Sequence, residues 1–95
     1  MELKFRPKFN RDLLHLKGKL GINHNIEIII RQIKSAKDIS KIPGYKTLDK
    51  YETRCRIKIK INHREDYRMG LIIKGHTIWI ERILLRPDFY KFYRR

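Results

Sequence analysis

The chain has 95 residues, which suffice for one domain with a single two-layer core and exclude two independent cores. Hydrophobic residues make up 41% and fall in periodic runs, so a disordered chain is excluded as well. With 24 Lys and Arg against 10 Asp and Glu, the net charge is +14. This charge favours a polyanionic partner: nucleic acid, an anionic membrane or an acidic protein.

The N-terminal segment predicts a short strand followed by a helix. Leu3 and Phe5 alternate with charged residues, which is typical of a strand over residues 2–5 that stops before Pro7. Apolar residues then recur at helical spacing, and Pro7 is acceptable in a first turn. The predicted helix ends at Gly18 or Gly21. Its apolar stripe is Phe9, Leu13, Leu16 and Leu20.

A second helix is predicted to follow, with Asn23 or Asn25 as its N-cap and an end near Lys34. The β-branched run IEIII at 26–30 is also compatible with a strand, but the continuation RQIKSAK restores helical spacing. The inner stripe would be Ile26, Ile29, Ile30 and Ile33.

The C-terminal half predicts strands. Residues 37–52 form a connection with a Pro-Gly turn in IPGY at 42–45, and Pro87 closes the last strand. The tail FYKFYRR at 89–95 is compatible with a short helix or a loose basic segment. Three strands are predicted at 53–61, 67–74 and 77 to about 84, joined by a loop at 62–65 and a tight turn at 75–76.

The element order β-α-α-β-β-β predicts a single α+β domain over residues 1–95, with a mostly antiparallel twisted sheet and a helical hairpin packed on one face. No stretch is apolar enough to span a membrane and the N-terminus lacks a signal peptide, which indicates a cytosolic protein. The lone Cys55 lies in an apolar strand row and is interpreted as a buried structural thiol.

The stretch CRIKIKI at 55–61 sorts two kinds of side chain onto opposite faces of a strand. Its isoleucines would face the helices, and Arg56, Lys58 and Lys60 would lie on the open face. Arg68 of the next strand would join them, and Gly70 would leave room there for a ligand. Single lysines of this kind usually only keep a sheet soluble. Four clustered cations with no obvious carboxylate except Glu81 instead favour a phosphate ligand.

The chain resembles the RelE/ParE toxin superfamily of toxin-antitoxin pairs along nearly its whole length. The resemblance rests on the strand and helical hairpin, a Pro-Gly loop before the R-x-K-x-K strand, DYR at 66–68, and a final strand leading into R-P-D-F-Y at 86–90. The RelE branch implies a metal-free endonuclease without a cofactor. Such an enzyme enters the ribosomal A site and cleaves mRNA by attack of a ribose 2′-OH on the adjacent phosphate.

The resemblance also implies roles for individual residues. Arg68 matches a phosphate-stabilising arginine, and Tyr90 matches a C-terminal tyrosine that stacks on or orients the nucleotide. The remaining catalytic candidates are Arg56, Lys58 and Arg86. Candidates for RNA contact are Lys60, His63, Arg64, Arg82 and Tyr93. Stacking of aromatic side chains on unpaired bases is the expected contribution of the tyrosines.

Departures from the family pattern keep other functions open. Leu84 and Leu85 stand where many active members have His or Arg, and neither can transfer a proton or hold a phosphate. The alternatives are a ParE-like inhibitor of DNA gyrase and a non-catalytic basic domain that binds RNA or the ribosome. The partners implied for the RelE-like interpretation are mRNA on the ribosome with contacts to 16S rRNA, and an acidic antitoxin.

Overall fold

The computed structural model describes residues 2–16, 21–50, 53–60 and 65–93. No helix within these ranges is both long and apolar enough to cross a membrane. The elements in chain order are β1 (Glu2–Phe5), α1 (Pro7–His15), α2 (Ile22–Ser35), a 3-10 turn (Ile39–Lys41), β2 (Tyr45–Thr47), β3 (Arg54–Lys60), β4 (Asp66–Lys74), β5 (Thr77–Leu85) and α3 (Arg86–Phe92).

The described strands form one five-stranded sheet in the order β1-β5-β4-β3-β2. β1 runs parallel to β5, and the other neighbours pair antiparallel. This architecture confirms the predicted α+β fold and its mostly antiparallel sheet. The three long strands start and end within one residue of the predicted bounds. β2 was missed because a three-residue edge strand after a Pro-Gly turn has too little alternation to stand out.

The two N-terminal helices confirm the predicted hairpin, but their adjoining ends differ from the prediction. α1 ends at His15, before either glycine proposed as its end. α2 begins at Ile22, so the predicted asparagine cap is wrong. Gly21 precedes it with φ of 85°, a left-handed conformation that favours glycine, and Ile22 is fully buried. Gly18 and Leu20 lie outside the described residues.

The hydrophobic core lies between these two helices and one face of the sheet. Cys55, Ile57 and Ile59 alternate inward on β3 as predicted, while Ile61 lies outside the described residues. Burial raises the pKa of the Cys55 thiol to about 12, which agrees with a structural role. Core partners from the other elements are Phe9, Ile22, Ile26, Ile33, Tyr67, Met69, Leu71, Ile78, Ile80 and Ile83.

A register shift in β5 changes which side chains face the core. Gly70 pairs with Arg82, whereas the next residue of β4 pairs with Ile80. Glu81 is therefore an extra residue, and Glu81 and Arg82 together oppose Gly70. Before the shift the even-numbered residues of β5 face the core, as Ile80 does. After the shift the odd-numbered residues do, so Ile83 is buried as well.

The C-terminal segment resolves into helix α3, which covers part of the open face of the sheet. Phe89 is the fully buried residue of this helix, and Tyr93 follows its last turn. A Cβ atom built on Gly70 would overlap the Tyr93 ring. The space above Gly70 is thus filled by the protein itself, and the predicted opening for a ligand there is wrong.

Candidate RNA-binding site

Arg68 is the centre of the basic cluster predicted on the open face. The register of the sheet places it beside Lys58 of β3 and Leu84 of β5. Of the predicted cluster, Lys58 therefore lies directly beside Arg68. Arg68 is nevertheless only 4% exposed, so its guanidinium lies within the protein rather than on its surface.

A carboxylate that the sequence interpretation overlooked binds this arginine. Arg68 Nε donates to Asp66 Oδ1 and Arg68 Nη2 donates to Asp66 Oδ2, both at 3.1 Å. Lys58 Nζ lies 3.9 Å from Asp66 Oδ2. The expectation that Glu81 is the one carboxylate near the cluster is therefore wrong. A spacing of two residues on a strand puts both side chains on one face, and the motif DYR contained that signal.

The charges of the cluster fix its protonation states. The pKa of Asp66 is held below its usual range, chiefly by the hydrogen bonds from Arg68 and further by the positive charges of Arg68, Lys58 and Arg86. The same ion pair raises the pKa of Arg68. Asp66 is consequently a carboxylate and Arg68 a cation across the physiological range.

Tyr90 connects the buried arginine to the surface. Arg68 Nη1 donates a hydrogen bond of 2.8 Å to the Tyr90 hydroxyl oxygen, and the guanidinium carbon lies 5.6 Å from the centre of the ring. Tyr90 is 39% exposed. Each of the three guanidinium nitrogens of Arg68 thus makes a hydrogen bond, and Tyr90 is a partner of Arg68 that lies at the surface.

The remaining catalytic candidates surround this core differently. Arg56 is half-buried, and its Nη1 donates to the Gly44 carbonyl at 2.6 Å, so it braces the Pro-Gly turn. Lys60 is exposed and pairs in register with Asp66. Arg86 is exposed in the first turn of α3 and is close enough for its charge to act on Asp66.

Two candidates for RNA contact are held by carboxylates. Arg82 makes two hydrogen bonds to Asp12, of 2.8 and 2.9 Å, and its guanidinium lies 4.6 Å from the ring centre of Phe92. Tyr93 is half-buried and its hydroxyl donates to Glu81 at 2.7 Å. Burial and this hydrogen bond raise the pKa of Tyr93. Neither contact joins these residues to Arg68.

Asp12 was not singled out from the sequence, although it lies within the apolar stripe of the first helix, three residues after Phe9. It is 6% exposed, and besides binding Arg82 it accepts a hydrogen bond of 3.0 Å from the backbone N–H of Ile83. A charged residue on a buried stripe needs a partner, and this was the available signal. The predicted contacts of His63 and Arg64 lie outside the described residues.

Comparison with known proteins supplies the relatives of this chain. No family profile matches it. It is 27% identical over 94 residues to Toxin RelE3 of Methanocaldococcus jannaschii, across 98% of this chain and 99% of the relative.

Solved structures agree with that sequence match. The crystal structure of a RelB-RelE antitoxin-toxin complex from Methanococcus jannaschii superposes with a TM-score of 0.70 at 26% identity, covering 94% of this chain and 96% of the other. YafQ from E. coli strain BL21(DE3) gives a TM-score of 0.69 at 6% identity over 94% and 97% of the two chains, which shows a shared fold alone. Sequence and fold together confirm the resemblance to the RelE-like toxin family.

Proposed function

We propose that this protein is the toxin of a toxin-antitoxin pair and acts as a ribosome-dependent endonuclease that cleaves mRNA in the ribosomal A site. The observation that carries this proposal is the contact of the exposed residue Tyr90 with the buried Arg68, which donates a hydrogen bond of 2.8 Å to the Tyr90 hydroxyl beside Lys58. A fixed hydroxyl among cations is suited to a phosphodiester rather than to a neutral ligand. Action on translating ribosomes places the protein in the cytoplasm.

The proposed reaction is transesterification within the RNA. The 2′-oxygen of one ribose bonds to the adjacent phosphorus, and the bond from phosphorus to the 5′-oxygen of the next nucleotide breaks. The 2′-proton leaves, and the 5′-oxygen gains a proton. The products are a 2′,3′-cyclic phosphate and a 5′-hydroxyl end. Catalysis therefore requires a proton acceptor, cations for the developing charge, and a proton donor.

Tyr90 is suited to the donor role. Its oxygen already accepts a hydrogen bond from Arg68, so its own O–H proton points away from the guanidinium. From there it can be donated to the leaving 5′-oxygen or to a phosphate oxygen. Lys58 is a half-exposed point charge beside it, and Arg86 and Lys60 add exposed cations at the edge of the site.

Arg68 acts, in this proposal, through Tyr90 rather than by touching the phosphate. Arg68 is only 4% exposed, and its hydrogen bonds to Asp66 and Tyr90 use one N–H of each guanidinium nitrogen, so little of the guanidinium is open to a substrate. Asp66 is a weak proton acceptor because Arg68 holds its pKa low. We therefore assign Asp66 as a positioning residue. In this proposal Asp66 does not accept the 2′-proton. The proton is accepted by a group of the ribosome or of the RNA.

A second candidate function is RNA binding without cleavage. Leu84 pairs directly with Arg68 across the strands, and Leu85 follows it, so the side of the site formed by β5 offers no proton-transfer group. A site of this composition retains affinity for RNA through its charge even where cleavage is slow.

The proposed protein partner is an acidic antitoxin that neutralises the charge of +14. A related RelE was crystallised as a complex with its RelB antitoxin, which supports a partner of this kind. Contacts with 16S rRNA are proposed on the ribosome, where a strongly basic surface meets the RNA backbone.

Purified protein added to an in vitro translation reaction tests the cleavage proposal through the chemistry of the new RNA ends. New 3′ ends that resist polyadenylation until mild acid opens the cyclic phosphate and a phosphatase removes the resulting monoester support it, as do 5′ ends that a kinase can label directly. Cleavage that leaves 5′-phosphates contradicts the reaction. If the protein binds the RNA but does not cleave it, the second candidate function, RNA binding without cleavage, is supported instead.

A further inference from the structure

A second basic surface lies on the open face, apart from Arg68. It is a groove of about 720 Å³ where the start of α1 approaches β3, β4, β5 and the end of α3. None of Arg68, Lys58 and Tyr90 lines it. We call it the α1 groove. Its charged lining consists of Arg6, Lys8, Arg11, Arg54, Lys74 and Glu81.

The charges in the α1 groove are strongly unbalanced. Five cations face one carboxylate, and that carboxylate, Glu81, already accepts the hydrogen bond of the Tyr93 hydroxyl. Arg6 Nε is buried and finds no hydrogen-bond acceptor within the part of the chain that the structure describes. Like charges that line one groove repel one another unless an anion compensates them, so the charge of the groove favours a polyanionic ligand.

The ring of Phe92 lines the groove together with these cations. Lys8 Nζ lies 5.0 Å from the ring centre of Phe92, and Phe92 is 39% exposed. Next to the groove, the guanidinium of Arg6 lies 4.5 Å from the ring centre of Trp79, with Lys4 Nζ at 5.2 Å. A basic groove with an exposed ring is the arrangement that binds single-stranded nucleic acid, with phosphates on the cations and a base on the ring.

We propose that the α1 groove binds single-stranded RNA as a second contact, separate from the site around Arg68. Its phosphates would meet Arg6, Lys8 and Arg11, and a base would stack on the exposed part of the Phe92 ring, which also contacts the Lys8 ammonium and the Arg82 guanidinium. Arginines bind carboxylates and phosphates alike, so the choice between an acidic peptide and RNA rests on the exposed Phe92 ring, which offers a base a stacking surface. RNA binding by the groove is argued from the groove itself. The inference rests on the proposed function in one respect, namely that the RNA is the mRNA or rRNA of a ribosome.

The test measures binding without cleavage. A fluorescein-labelled 2′-O-methyl oligoribonucleotide cannot undergo 2′-OH attack, so its anisotropy reports affinity whether or not the protein is a nuclease. Trp79 is the single tryptophan, and its fluorescence reports ligands that disturb Arg6. The variant Lys8→Gln/Arg11→Gln removes two exposed cations of α1 while keeping helix formers. Arg31→Gln/Lys34→Gln, with both residues exposed on α2, removes the same charge elsewhere.

We expect the groove variant to weaken binding about 10-fold and to reduce the slope of log K against log salt by about 0.7 per cation removed. The α2 control should change affinity less than about 2-fold. RNA should also alter Trp79 fluorescence in the wild type. Equal losses in both variants, or no loss in the groove variant, overturn the proposal. A glutamate-rich peptide that binds more tightly than RNA, and only when Lys8 and Arg11 are intact, overturns it as well.

Discussion

Asp66 accepts two hydrogen bonds of 3.1 Å from the Arg68 guanidinium, and the two residues are two positions apart on the same strand. Their side chains share one face of β4, and the third guanidinium nitrogen is left for the Tyr90 hydroxyl at 2.8 Å. A carboxylate on β4 therefore sets the position of a hydroxyl on α3. In the proposed function, Asp66 acts through Arg68 on the position of the Tyr90 hydroxyl.

The variant Asp66→Asn tests whether this ion pair positions the site. It keeps the shape of the side chain but removes the charge that orients the guanidinium. We expect ribosome-dependent cleavage to fall about 10- to 100-fold. RNA affinity should stay equal or rise because a negative charge is lost. Single-turnover rates and RNA binding, measured beside the exposed-residue control Glu27→Gln, separate the two effects. Faster cleavage by Asp66→Asn would mean that Asp66 competes with the phosphate for Arg68.

Acid should weaken the same ion pair. Because the folded protein holds the pKa of Asp66 below its unfolded value of about 3.9, the pair stabilises the fold above that pH. Its contribution is lost as the pH falls through the lowered folded pKa. We therefore expect the difference in unfolding free energy between the wild type and Asp66→Asn to be constant from pH 7 to 5 and to shrink below about pH 4. Urea titrations across this range measure it, and a difference that stays constant at pH 3 would rule out the linkage.

The buried pair of Asp12 and Arg82 is expected to stabilise the fold. Asp12→Leu leaves the Arg82 guanidinium and the Ile83 N–H without their acceptor, so the unfolding free energy should drop by about 3–5 kcal/mol. The double variant Asp12→Leu/Arg82→Met should cost less because no unpaired charge remains. Chemical denaturation of both variants checks this. If the double variant has the lower free energy of unfolding, Asp12 does not stabilise the fold through its ion pair with Arg82.

A side chain at position 70 is expected to destabilise the fold while Tyr93 is in place. Gly70→Ala would place a methyl group in the Tyr93 ring and force α3 to shift, at a cost of about 1–3 kcal/mol. In Gly70→Ala/Tyr93→Ala the second change removes the obstacle, so the combined loss should be smaller than the sum of the single losses. A double-mutant cycle from denaturation curves measures this coupling. Additive losses would show that the ring and the glycine do not meet in solution.

Much of the fold was predictable because its cues are local. Alternation along residues 55–59 and the helical spacing after Pro7 place the core face correctly. The predictions that failed depend on contacts between distant residues. The closure of the space above Gly70 is set by Tyr93, 23 positions away, and the capture of Arg82 by Asp12 spans 70 positions. No periodicity within one element encodes either contact.

The candidate site shows the same division. Strand parity brings Lys58 beside Arg68, as predicted. The register shift at Glu81, which turns Glu81 and Arg82 together toward Gly70, has no signature in the pattern of TIWIERILL. Asp66 is the exception, since its spacing from Arg68 was visible and its consequence for the charge of the cluster was overlooked.

The most direct measurement is primer extension on mRNA from an in vitro translation reaction, with and without ribosomes, comparing the wild type with Arg68→Ala and Tyr90→Phe. Lys34→Gln, an exposed change on α2, serves as the control. We expect new 5′ ends at A-site codons only when ribosomes are present. They should fall about 100-fold in Arg68→Ala, and also drop in Tyr90→Phe, which lacks the hydroxyl. Full cleavage by Arg68→Ala, or no cleavage by the folded wild type on ribosomes, would contradict the proposed function.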